Sequence, residues 1–313
     1  MKIRIAASPS KPVASYRIRT KLIFEDLPQI HDIDWYPPNK DIDNAIVFID
    51  KDKQRDLWPT EWPDSTIVVW DMCDWYFDRS PDLVDFLLNR VDYVTVATEY
   101  LSEKLLKTYG VQSTVIKDRY QIEPISCSWP ANNDCIEVLW YGNSNNIDED
   151  VFIERIWEPF KDFELPVNFK ILTSSDFKLK ECYHDEKNTL ELITWQLENW
   201  QSYVKNSDFV FIPKLSDDDF NLSKGHIRVI DSIMAHSFVI ADEIPAYQNY
   251  ANYGRIIPHA NFVAETRRAL NSKSESIQRI QNGQAYIVDK YDRATLIKKW
   301  EQTLLSYENR PNH

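Results

Sequence analysis

Glycine is scarce in this chain, with five among 313 residues. Each one therefore marks a place where backbone freedom matters. There is no GxGxxG fingerprint, no Walker A loop and no GxSxG nucleophile elbow. Cysteine is nearly as rare. Cys73, Cys127, Cys135 and Cys182 form no CxxC pair and no zinc spacing. With no signal peptide, they read as reduced thiols of a cytosolic protein. No apolar run approaches the ~20 residues of a membrane span. The six histidines (His31, His184, His226, His236, His259, His313) have no HxxxH or other metal spacing. Positive charge is in deficit, 36 Lys and Arg against 49 Asp and Glu, for a net charge of -13. That balance argues against a general binder of nucleic acid or anionic membrane. Residues 1–21 are the exception. They carry Lys2, Arg4, Lys11, Arg17, Arg19 and Lys21 with no acid.

What the chain does have is a folded protein's composition, 43% hydrophobic and 13% aromatic. Its apolar runs are short and β-branched: "KIRIAA" (2–7), "AIVFI" (45–49), "TIVVWD" (66–71) and "YVTVA" (93–97). Such runs suit buried parallel strands. Between them lie helical patterns, among them 15–27, 80–91 and 98–110, the last ending on Gly110. Residues 119–135 break the rhythm and read as a linker. Alternation then resumes with strands at 136–142, 167–173, 208–213 and 238–241, and helices at 146–163, 198–207, 224–236 and 292–308. The expected class is α/β, two Rossmann-like domains facing a cleft. Residues 1–118 form the first domain and 136–290 the second, with the helix at 292–308 packing back on the first.

In such sheets ligands sit at the carboxyl ends of the strands. The stretch "FNLSKGHIRVIDSIMAHSFVIA" (220–241) places Lys224 and Arg228 four apart at the head of a helix. Two cations and free N–H groups there suit an anion, most simply phosphate. Asp231, three residues on, suits ribose hydroxyls. The plain alternative is a surface helix on which Asp231 pairs with Arg228. "YGNSNN" (141–146) follows a strand and brings Gly142, Asn143 and Ser144 to that edge, as a phosphate cradle or an ordinary turn. "SDDDF" (216–220) holds Asp217 and Asp219, a weak metal pair or a solvated loop. "WDMCDWYF" (70–77) places Asp71 and Asp74 at the end of a strand, as a base, as acceptor contacts, or as caps and structural carboxylates. Tyr16, Arg17 and Arg19 open the helix after the first strand, where a positive field suits an anionic acceptor.

"KGHIRVIDSIMAHSFVIADEIPAY" resembles the donor-binding segment of GT-B glycosyltransferases, notably the family-4-like group. Asp231 matches the second acid of that family's paired-acid motif. Val239, Ile240 and Ala241 match its "VIA", and Lys224, Arg228, Pro245 and Tyr247 match a Lys–x3–Arg variant with a "P.Y" turn. "VDYVTVATEYLSEKLLKTYG" and "VIKD" resemble the end of the first domain, "VLWYGNSNN" the start of the second, and the tryptophan of "LIKKW" the closing helix. The sequence departs at Ser223, where the first acid stands, at His236 for glycine and at Phe238 for proline. "ASPSKPVASYR" also lacks the glycines that many relatives carry near the N-terminus.

The resemblance implies transfer of a sugar from a UDP- or GDP-sugar to an acceptor hydroxyl, with retention; two cations and a helix terminus at the phosphate make a metal or other cofactor unnecessary. Lys224, Arg228 and Asp71 would be catalytic. Gly142, Asn143, Ser144, Lys224, Arg228 and Asp231 would bind the donor; Tyr16, Arg17, Arg19 and Asp74 would bind the acceptor. That acceptor would be a glycan or lipid-linked hydroxyl compound, with an anionic group favoured by the basic start. The expected location is cytoplasmic or at the membrane periphery. Alternatives are a phage-type enzyme acting on modified nucleic acid, which the net charge disfavours, and a non-catalytic nucleotide-sugar binding module.

Overall fold

Strands that are apolar on both faces must be covered by helices on both sides. The computed structural model describes residues 2–6, 16–24, 27, 32–35, 42–49, 61–75, 77–78, 81–126, 128–132, 134–181, 183–258 and 260–308. It holds two six-stranded sheets, each in its own compact unit, with every strand pair parallel.

The first unit comprises Met1–Arg119, Leu222–Gly225 and Tyr291–His313. Its strands are β1 (Lys2–Ala6), β2 (Asp32–Trp35), β3 (Ala45–Ile49), β4 (Ile67–Met72), β5 (Tyr93–Val96) and β6 (Thr114–Val115). They lie in the order β2-β1-β3-β4-β5-β6. The helix Glu99–Tyr109 starts on Thr98, whose hydroxyl caps Leu101 N, and stops at Gly110, whose φ of 69° few other residues tolerate. The last helix, Arg293–Glu308, lays Trp300, Leu304 and Tyr307 against Ile3, Phe24 and Phe48. Phe48 meets Trp300 edge-on at 5.4 Å, and Tyr307 stacks on Tyr93 at 3.9 Å.

The second unit comprises Tyr120–Asn221 and His226–Lys290. Its strands are β7 (Ile136–Tyr141), β8 (Val167–Thr173), β9 (Thr189–Thr194), β10 (Phe209–Ile212), β11 (Phe238–Asp242) and β12 (Arg255–Ile257). The order is β12-β11-β10-β7-β8-β9. The chain runs outward from β7 to β9, then returns to β10 on the other side of β7. That reversal makes the carboxyl end of β7 the switch point of the sheet, the place where open α/β sheets take ligands.

Several elements lie outside the sequence expectation: β2, β9, β12 and the helices Phe262–Asn271 and Lys273–Tyr291. β9 is an edge strand exposed at alternate positions, so it lacks the apolar run that marks a central strand. Of residues 119–135, read as linker, those described from Tyr120 on are held within the second unit. Trp129 Nε1 donates to Asp208 O at 2.7 Å, and the Asp208 carboxylate accepts from Ala131 N at 2.6 Å and Glu137 N at 2.9 Å. Among the described residues, no helix is long and apolar enough to cross a membrane.

Candidate functional site

The carboxyl end of β7 is built around its tryptophan. Trp140 is buried beneath Gly142, and the Arg228 guanidinium lies over its ring, 5.7 Å from the centroid. A Cβ on Gly142 would stand 3.1 Å from Cη2 of Trp140 and 3.6 Å from an Arg228 guanidinium nitrogen. A side chain there would ask the Trp140 ring to give by a few tenths of an ångström, while its distance to Arg228 is ordinary van der Waals contact. Arg228 belongs to the helix Ile227–Met234, which is pinned to β7 through the Arg228 carbonyl. Tyr141 Oη donates to that carbonyl at 3.0 Å and Ser232 Oγ at 2.6 Å. Burial, helped by the nearby Asp231 charge, pushes the Tyr141 phenol well above its ordinary pKa and keeps it a donor.

After Gly142 the chain turns sharply. Asn143 caps a short 3-10 turn, Ser144–Asn146, by accepting from Asn145 N at 3.0 Å. Gly142 N donates to Leu172 O at 3.1 Å, and Ser144 N donates to Ser174 Oγ at 3.4 Å. Ser144 Oγ donates to Asp176 at 3.0 Å. The Asn143 N–H takes no part in these bonds.

Asp231 is buried one turn beyond Arg228, and both its oxygens are used. Gln121 donates from its backbone N at 2.6 Å and from Nε2 at 2.9 Å. The expected alternative, an Asp231–Arg228 pair, is not formed. At the head of the helix, His226 Nδ1 lies 2.5 Å from Tyr250 Oη, with both groups buried.

Lys224 belongs to the first unit, in the segment Leu222–Gly225. Its Nζ lies 3.0 Å from Asp74 Oδ1, with the two side chains 16% and 14% exposed. Ser223 Oγ accepts from Trp75 N at 3.0 Å. A Cβ on Gly225 would stand 2.9 Å from the Asp118 carboxylate, so this glycine too permits a close approach.

Two expectations need correction. Asp71, read as a catalytic base, and Arg19, read as an acceptor contact, neutralise one another in the interior. Arg19 donates to both Asp71 oxygens at 2.6 and 2.7 Å, to Asp118 at 2.8 Å and to Ile116 O at 2.7 Å. Thr95 adds a bond to Asp71 at 2.6 Å. Burial alone would lower the Arg19 pKa, but Asp71 and Asp118 outweigh it and hold the group charged. A carboxylate whose oxygens are used in this way, in a residue 1% exposed, is not placed to take a proton from substrate. Of the other acceptor candidates, Arg17 is half-buried and Asp74 is held by Lys224. The Tyr16 side chain and the loop 8–15 lie outside the described residues.

In the acidic loop 216–220, Asp217 pairs with Lys214, and Asp218 accepts from Asn221 N at 2.8 Å. Among the described residues no three His, Cys, Asp or Glu side chains gather as a metal would need. An open depression of about 550 Å³ lined by Trp62, Arg90 and Asp92 lies at the amino ends of β4 and β5, the wrong edge for a ligand of this fold.

The sequence singles out Gly142, Arg228 and Asp231 but not the groups around them: Trp140, Tyr141 and Ser232 at Gly142 and Arg228, and Gln121 at Asp231. Their signal was a run of apolar and amide residues with no charge to attract notice.

The sequence matches no protein-family model and no curated protein. Its fold is that of solved GT-B glycosyltransferases. Sucrose-phosphate synthase from Thermosynechococcus elongatus aligns with a TM-score of 0.70 at 10% identity, over 97% of this chain and 98% of that one. Anabaena HepE, solved with UDP and glucose, aligns with a TM-score of 0.67 at 11% identity, over 98% of this chain and all of that one. A variant of S. aureus TarM, solved with UDP, aligns with a TM-score of 0.62 at 14% identity. There the match covers 92% of this chain and 58% of TarM.

Proposed function

We propose that the chain is a glycosyltransferase whose second unit binds a nucleoside diphosphate sugar, with the diphosphate at Arg228 and the turn after β7. The observation that carries this reading is the Arg228 guanidinium, set over Trp140 and against Gly142 at the switch point of the second sheet. A planar, permanently charged fork suits phosphate oxygens, and the Asn143 N–H can add a backbone donor. Negative charge grows on the leaving diphosphate as the glycosidic bond breaks, so a fixed cation there assists the reaction as well as binding. UDP in the HepE and TarM structures favours a uridine donor.

Lys224 is a weaker candidate for the diphosphate than Arg228, because its charge is already matched by Asp74. Asp231 fastens the segment at Gln121 to the helix Ile227–Met234, and ribose contact is a secondary role. The family resemblance supports retention of configuration, and a cation at the proposed phosphate position supports transfer without metal. The acceptor is a hydroxyl compound, and Arg17 is the described side chain that best suits an anionic group on it.

A second reading, a nucleotide-sugar binding module without transfer, has one observation in its favour. Ser223 stands where the resembling family carries an acid, and its hydroxyl is spent on Trp75 N. Thermal unfolding in a series of UDP- and GDP-sugars separates the readings. A donor at 100 times its Kd stabilises by about 2.7 kcal/mol. Stabilisation with slow release of free sugar supports the enzyme. Stabilisation with no release and no transfer supports the module, and no stabilisation by any donor removes both.

A further inference from the structure

We infer that Trp140, besides its place in the core, is a positioning residue for the Arg228 guanidinium through the electrons of its indole ring. The inference rests on the proposed diphosphate site and adds a residue to it.

Three observations converge. Trp140 is fully buried, and its Nε1–H is also buried with no hydrogen-bond acceptor. Leaving that donor orphaned costs stability, and phenylalanine would fill an aromatic site without the orphan. The indole therefore carries a cost that a phenyl ring at this position would not. The second observation is the guanidinium 5.7 Å from the ring centroid, inside the range where a cation is held by the ring face. Tryptophan offers the strongest such face. The third is the approach of Gly142, whose missing side chain lets the chain cross the edge of the same ring beside the same guanidinium.

Alternative anchors for the Arg228 head are weak. It donates to Tyr141 O at 3.5 Å, at the limit of a hydrogen bond. Asp231, the acid on its own helix, is taken by Gln121. A guanidinium held by a ring face keeps its N–H donors and its full charge for an incoming anion. One held by a carboxylate would be neutralised. Trp140 thus fixes the orientation of Arg228 without lowering its charge.

The test uses the full-length chain with UDP and uridine as probes and isothermal calorimetry as the readout. Trp140 is replaced site-specifically by tryptophans of increasing ring fluorination, which withdraw charge from the ring face at nearly constant shape. UDP affinity should fall stepwise, reaching about fivefold at the highest fluorination, the scale of a partly desolvated cation–π contact. Uridine affinity should stay level, because uridine lacks the phosphates. In an Arg228→Met background the fluorination series should have no effect on UDP. Trp140→Phe should weaken UDP less than Trp140→Leu. UDP affinity that is flat across fluorination in an otherwise binding protein overturns the inference alone. So does an equal fall in the Arg228→Met background or for uridine. Failure of the wild-type chain to bind UDP or GDP overturns the proposed site, and the inference with it.

Discussion

His236 follows the cap of the helix Ile227–Met234 in a left-handed conformation, with φ of 66°. Glycine is the usual residue of such a helix end, which explains why the resembling family commonly has glycine there. The histidine is buried, and burial lowers its pKa below the ordinary value of 6.5. As pH falls through that value the unfolded chain gains its proton first. The histidine's contribution is therefore intact above the unfolded pKa and is lost as pH drops toward the folded one. Asparagine tolerates the left-handed region and does not titrate. Denaturant midpoints of wild type and His236→Asn, compared between about pH 7 and pH 5, should diverge, with wild type losing more stability on the acid side. Parallel curves would show that this imidazole is not the titrating group. Arg19 is tested in the same terms. Arg19→Met leaves Asp71 and Asp118 buried without their partner, so unfolding free energy should fall by about 3–5 kcal/mol. Full stability with a selective loss of transfer would restore the acceptor role expected from the sequence.

Among the elements, the legible ones were those whose physics is local. Central strands such as Ala45–Ile49 and Phe209–Ile212 announce themselves as β-branched or aromatic apolar runs, because both faces are buried. Glu99–Tyr109 was legible at both ends, from Thr98 and Gly110. The edge strand Thr189–Thr194 was not, since alternate residues face water. The segment 119–135 shows no local pattern, because the contacts of its described residues are with distant partners. Asp208 satisfies two of its neighbours' N–H groups, a contact 71 to 77 residues apart in sequence that no local pattern encodes. Asp208→Ala should leave those donors orphaned. The unfolding free energy should then drop by about 2–6 kcal/mol, at about 1–3 for each orphaned group, in a urea titration. A loss under ~0.5 kcal/mol would mean that water replaces the carboxylate without cost.

At the scale of the whole molecule, alternation of short strands and helices was enough to read two parallel sheets. Arg228 and Gly142 of the candidate site were legible because charge and glycine are conspicuous in a glycine-poor chain. Their supports were not, because Trp140, Tyr141 and Gln121 gain meaning only once the helix Ile227–Met234 lies along β7. Asp71 and Arg19 were assigned to the site for their charges, and the fold spends those charges on each other. The proposed metal-free transfer is tested at this scale too. Turnover should persist in excess EDTA; loss that manganese restores, together with loss in Asp217→Ala, would move the chemistry to the acidic loop.

The central claim is that Arg228 receives the donor diphosphate. Calorimetric titration of UDP into wild type, Arg228→Ala and Lys224→Ala tests it most directly. Wild type should bind one UDP per chain, Arg228→Ala should bind about tenfold or more weakly, and Lys224→Ala should lose clearly less, since a charge-assisted phosphate contact is worth about 1.5–3 kcal/mol. UDP binding that is undiminished in Arg228→Ala, or diminished more in Lys224→Ala, would contradict the account.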